Sequence, residues 1–301
     1  MEALFDPFGV VFVQRALWGG ILVSLICALA GTWVVLRGMA FLGDAMSHGM
    51  LPGVALASLL GQSVVLGAAL AAGAMAAGVT ALGRSSRLSQ DTSIGLLFVG
   101  MLSVGVIVVS HSASFAVDLT GFLFGDVLAV RERDLVHLGA ALAAALVVAV
   151  AGHRAFLALA FDPRKAHTLG LAPRIAHGAL LGLVTLAVVA SFHVVGTLLV
   201  FGLLIAPPAA AALWARSVPA IMLVAAVLGS ASVLLGLLAS WHWETAAGAT
   251  ITATATALFL TSACAAAARS RLRTPVPLRT PEPPVSALPR EPVQTKEAGD
   301  A

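Results

Sequence analysis

Residues 37–53 read RGMAFLGDAMSHGMLPG and set a carboxylate and an imidazole, Asp44 and His48, between two long apolar runs. In a helix, positions four apart lie on one face with Cβ atoms about 5–6 Å apart, so one small cation can touch both side chains. An ionised side chain at bilayer depth costs at least about 2.5–3.5 kcal/mol, so such groups face a cavity or a partner rather than lipid. The pair is therefore the first candidate for a metal site on a transport path. The competing reading is that Asp44 and His48 only pair with each other or cap the helix entry.

Working outward, the 301 residues are 59% hydrophobic and 10% charged, with mean hydropathy +1.00, far below the roughly 25% charged residues of a soluble domain. A span takes about 20 apolar residues, so the chain has room for little besides a polytopic, all-α membrane helix bundle of eight to nine transmembrane helices. The net charge of +3 is small and sorted by side of the membrane, which excludes a nucleic-acid partner. Cys27 and Cys264 fall in apolar runs and read as small hydrophobes, not as a disulfide framework. Glu2 and Asp6 precede the first Arg, the wrong polarity for a cleavable signal peptide, so the first span is expected to be retained.

Apolar runs place spans near 16–36, 41–60, 63–83, 94–110, 134–153, 174–192, 194–214, 219–240 and 249–268. Nine spans put Arg15, Arg131 and Arg133 on one side and the other 14 Lys and Arg on the opposite side. The positive-inside rule makes that second side cytoplasmic, with the N-terminus outside and the C-terminus inside the cytoplasmic membrane. Merging two spans, for which the close pair 174–192 and 194–214 is the first candidate, gives eight and moves the N-terminus inside. Pro207 and Pro208 are expected to kink or break the seventh span.

Residues 110–134 are too polar to span and too apolar for an ordinary loop, which predicts a short re-entrant or interfacial helix covered by protein. His111, Asp118 and Asp126 there serve as caps and loop polar groups or, less simply, as an entrance for cations. Residues 1–268 form the permease-like membrane domain. From Arg269 onward half of the chain's 14 prolines crowd between Pro275 and Pro292, and 269–301 reads as a disordered, Pro-rich cytoplasmic tail.

The connector FDPRKAHTLG holds Phe161, Asp162, Pro163, Arg164, Lys165, His167 and Gly170. Asp162 suits an N-cap, Pro163 the first helical position and Gly170 the stop, so a short surface helix on the cytoplasmic side is expected. With this segment, RGMAFLGDAMSHGMLPGVALA from Arg37, DTSIGLL at 91–97, DLTGFLFGDVLAV at 118–130, FDPRKAHTLGL at 161–171 and VGTLLVFGLLIAPPA at 195–209 together resemble the integral-membrane permease of bacterial zinc/manganese-type ABC importers. The resemblance implies a homodimer that pairs with two cytoplasmic ATPase subunits and an extracytoplasmic metal-binding protein. It also implies that the 161–170 connector is the coupling helix docking on the ATPase. The tail has no counterpart in the family pattern.

Independently of that likeness, the chain has no GxxxxGK[ST] loop, and its only lysines are Lys165 and Lys296, so it carries no P-loop lysine to hydrolyse ATP. No Ser-His-Asp set, paired-carboxylate site or HExxH motif falls on one face, and no catalysis is assigned. His193, in ASFHVVG, is a third metal candidate, although a hydrogen-bonded helix-end residue is the favoured reading of it. His242 and Glu244 sit with Trp241 and Trp243, as in an interfacial aromatic belt. The leading expectation is an ATP-driven importer subunit for a divalent metal, zinc or manganese, in contact with membrane lipid and without a permanently bound cofactor. A proton-coupled carrier using Asp44 and His48 as relays would work alone and is usually built on internal repeats, which are not detected. An ABC permease for a metal chelate would need a wider path and no ligand pair. Oxygen and imidazole ligands suit zinc, manganese and iron alike.

Overall fold

The computed structural model describes residues 9–83, 89–110, 125–161 and 172–272. Those residues form α1 (Val11–Leu36), α2 (Ala40–Gly49), α3 (Leu51–Leu59), α4 (Val64–Leu82), α5 (Gln90–Ser110), a 3-10 turn (Val127–Ala129), α6 (Glu132–Phe161), α7 (Pro173–Ala212), α8 (Val218–Trp243) and α9 (Ala247–Leu272), with no β-strand among them. Seven helices, α1 and α4 to α9, are long and apolar enough to cross a membrane. The connector 162–170 and the residues from 273 onward lie outside the described residues. α9 continues to Leu272, past the expected boundary at 268.

Three expected spans take a different form. The run 41–60 is cut into α2 and α3 at Met50. Pro52 explains the cut, because it brings no N–H to the carbonyl of His48 four residues back and instead fills the first turn of the next helix. The runs 174–192 and 194–214 emerge as the single stretch α7, interrupted at Gly196 (φ 76°, ψ 164°), a conformation open only to glycine. Pro207 and Pro208 do not break it, since Gly196 is its one non-helical residue. Proline is tolerated in a membrane helix when a neighbour covers the freed carbonyl, and here the Leu204 carbonyl, deprived of an N–H by Pro208, lies directly against Gly31 of α1.

The Gly196 break is a reversal. His177 meets Arg37 at the end of α1, the Cys27 thiol points to the Val200 carbonyl at 3.9 Å, and Leu204 abuts Gly31. At 1.5 Å per residue, positions 177 and 204 of a straight helix lie about 40 Å apart, whereas positions 31 and 37 of α1 lie about 9 Å apart. The first limb of α7 therefore runs antiparallel to α1 and the second runs parallel to it. Gly125 is seated against the backbone of Val195 and Gly196, and the adjoining 3-10 turn buries Val127. Of the 110–134 segment, Val127 and Val130 are buried while Asp126, Leu128 and Ala129 are exposed, and 111–124, on which the expected re-entrant helix mostly falls, lie outside the described residues.

α1 and α7 form the centre of the bundle, with 67% of the most apolar stretch of each buried against 11% in α9. Lipid offers no hydrophobic drive between helices, so close backbone approach has to hold them together. Gly53 and Gly67 illustrate it: a Cβ on either would overlap the other's carbonyl, which fastens α3 to α4. At one end of the bundle Arg15 of α1 bridges Glu132 of α6 at 2.6 Å, and Phe12 packs on Trp241 of α8. At the other end Arg37 meets His177, and Arg269 stacks on Trp214 at 4.4 Å.

Candidate functional site

α2 is a ten-residue helix too short to span, held between α4, α5 and α7. From Leu42 to Gly49 every residue is buried except Asp44 and His48. Gly43 seats against Leu204 of α7 and Gly49 against Met75 of α4, so the back of the helix is fixed and, from Leu42 onward, only the Asp44–His48 stripe remains open. Both side chains are 30% exposed.

His48 Nε2 lies 3.5 Å from Asp44 Oδ1. That separation is too long for a good hydrogen bond. It does match a shared cation, because two ligands each about 2.1 Å from a tetrahedral metal stand about 3.4 Å apart. The same separation lies within ion-pair range, and contact of the two side chains with each other alone is the competing reading. Phe98 of α5 stands edge-on to both His48 (5.9 Å between centroids) and Phe41 (5.5 Å), walling the pair on one side and restricting the imidazole's rotation. Phe98 was not singled out in the sequence. It is the one aromatic residue of α5, but only the tertiary contact shows what it faces.

Two ligands fall short of the four that zinc normally takes. Among the described residues, no three His, Cys, Asp or Glu side chains gather into a possible metal site, so His193 does not join the pair. His193 is exposed, three positions before the Gly196 break, with its ring against Phe192. Asp126 precedes the 3-10 turn without capping it, while His111 and Asp118 lie outside the described residues. His242 bonds the Leu238 carbonyl and Glu244 adopts a left-handed cap at the end of α8, both helix-end roles. Of the expected coupling residues, Phe161 ends α6, and Asp162, Pro163, Arg164, Lys165, His167 and Gly170 lie outside the described residues.

The model of the ABC 3 transport family matches residues 10–266. The chain belongs to that family. It is 36% identical over 245 residues to the "Probable iron transport system membrane protein" of Haemophilus influenzae, covering 81% of this chain and 90% of that one. It is also 36% identical over 238 residues to the "Manganese transport system membrane protein MntC" of Halalkalibacterium halodurans, covering 79% and 81%. Among solved structures it is similar to PsaBC from Streptococcus pneumoniae in complex with Fab, with a TM-score of 0.77, 33% identity, and coverage of 87% of this chain and 95% of that one. The family match takes in the described bundle up to residue 266 of α9, including the interrupted α2–α3 and α7 stretches. An integral-membrane permease of this family is a transport subunit, in keeping with a chain that carries no P-loop.

Proposed function

We propose that the permease carries a divalent transition metal ion, zinc or manganese, across the cytoplasmic membrane as the homodimeric membrane subunit of an ATP-driven importer. The observation that carries the reading is the Asp44–His48 pair, 3.5 Å apart and half-open within the otherwise buried stretch Leu42–Gly49. The relatives named for manganese and for iron support a metal cargo, and iron fits the same donor set. A pathway site must release its ion, so a two-ligand site completed by water or by the second copy's pair is chemically reasonable. His193 is a separate, single-imidazole contact on the way.

The chain crosses the membrane nine times in this reading: α2 with α3 supplies one crossing and each limb of α7 another. Arg15 and Glu132 then lie outside, Arg37 and Arg269 lie in the cytoplasm, and the C-terminus is cytoplasmic. The positive-inside count supports that orientation. A separate ATPase docks at Phe161–Gly170, and an extracytoplasmic metal-binding protein delivers the ion to the opposite face.

The test is uptake of radiolabelled zinc and manganese by the permease assembled with its ATPase. Asp44→Asn and His48→Gln keep shape and hydrogen bonding, and each is expected to abolish uptake while expression and ATPase association persist. Uptake at the unmodified level in both variants would return the pair to a structural role.

A further inference from the structure

A second polar place lies away from Asp44 and His48. Where the end of α1, the end of α4 and the start of α7 meet, a cavity of about 320 Å³ is lined by Arg37, Val79, Thr80, Gly83, Pro173, Arg174 and His177. Arg37 is half-buried and donates from Nη1 to His177 Nδ1 at 3.1 Å. A guanidinium has no acceptor to offer, so the accepting imidazole nitrogen carries no proton. The ion pairs among the described residues are Arg15–Glu132, Asp44–His48 and Arg133–Asp134, and none supplies a carboxylate to Arg37 or Arg174. The start of α7 adds to the imbalance. Ala172 gives it no side-chain cap, and the positive end of the helix opens beside Arg174. The Thr80 hydroxyl is already committed to the Ala76 carbonyl.

We infer that this cavity binds the phosphate of an anionic phospholipid headgroup. Two guanidiniums and an uncapped helix start are the donors that recognise a phosphate. The neighbouring apolar surface favours lipid over a free anion. Val79 and Pro173 line the cavity, and Ile175, one residue past Arg174, is 74% exposed, as suits an acyl chain lying along the helix. Basic pockets between transmembrane helices at the cytoplasmic face hold anionic headgroups on the same principle. Arg37 precedes the site-bearing helix α2 by only three residues, so an occupied cavity would steady the start of that helix.

The experiment uses the full chain purified in neutral detergent and exchanged into nanodiscs of phosphatidylcholine with or without phosphatidylglycerol. Native mass spectrometry is expected to find phosphatidylglycerol retained by the unmodified permease. Retention should fall about tenfold or more in Arg174→Gln and in Arg37→Gln, the effect of losing one charge-assisted contact. Arg174 is exposed, so its variant should fold even if the Arg37 variant does not. Equal retention in Arg174→Gln and the unmodified protein would overturn the inference. Thermal stabilisation by inorganic phosphate alone, matching that by the lipid, would assign the cavity to a free anion and overturn the lipid source. Loss of ATPase association in Arg174→Gln with lipid retention unchanged would assign it to a protein partner, again against the inference.

Discussion

The stretches 40–59 and 173–212 are both interrupted, and in opposite ways. The first breaks at a proline boundary and carries the polar pair within two turns of the break. The second passes through two prolines without breaking and reverses at a glycine. What separates them is where the orphaned carbonyl goes. Pro52 deprives His48 of an N–H and the helix is cut at Met50. Pro208 deprives Leu204, but the bare backbone of Gly31 lies against that carbonyl, where a weak Cα–H···O contact serves it. At Pro208, then, a neighbouring backbone lies where the lost bond would have been, and the helix runs on.

The strongest way to break the comparison is to remove the neighbour. In Gly31→Val the new Cβ would overlap the Leu204 carbonyl, a backbone atom with no rotamer to yield. Overpacking of this kind costs about 3 kcal/mol or more, and loss of monodisperse protein on size exclusion is the expected result. Gly182→Val, where nothing lies within 4 Å of the added Cβ, should elute normally. A normal profile for both would mean that α1 does not cover the second limb of α7. A smaller effect is expected at the reversal, where Gly196→Ala forces an L residue into a positive-φ, extended-ψ conformation at about 1–3 kcal/mol. The thermal midpoint should fall without loss of insertion. An unchanged midpoint would argue against the reversal.

Smaller again, and opposite in sign for stability, is Pro52→Ala. It restores an N–H to the His48 carbonyl and should add about 0.5–1.5 kcal/mol. Joining α2 to α3 would also turn the last turn of α2, so metal uptake should fall while the midpoint rises. Uptake that survives a raised midpoint would show that the break serves packing and not the path.

How much of this was legible beforehand follows from which contacts are local. Every expected apolar segment coincides with helix, because hydropathy acts residue by residue. The division between 192 and 194 fell within a few positions of Gly196, since a polar His193 marks the end of an apolar run. The pairing of Asp44 with His48 is an i, i+4 relation, readable from spacing alone. Phe98 beside His48, Gly31 beneath Leu204 and His177 beside Arg37 join residues more than forty positions apart, and no local pattern announces them. Of the expected kink or break at Pro207 and Pro208, the break does not occur, and the neighbour that covers the carbonyl freed by Pro208 lies on another helix.

Pro208→Ala is the smallest expected effect and the finest test of that account. The variant would return an N–H to the Leu204 carbonyl, which would be a clear gain if the oxygen were now unsatisfied. A carbonyl has two lone pairs, however, and one side of this oxygen is already covered by Gly31. The substitution also removes a ring whose Cγ lies 3.0 Å from the Cβ position of Gly31, so packing between α1 and α7 is lost as the bond is gained. The two changes oppose each other, and the net shift is expected to stay within about 0.5 kcal/mol. The thermal midpoints of Pro208→Ala and Pro52→Ala, measured side by side in the same detergent, give the comparison directly. A rise in Pro208→Ala as large as in Pro52→Ala would mean that the two carbonyls are equally unsatisfied and that Gly31 does nothing for Leu204.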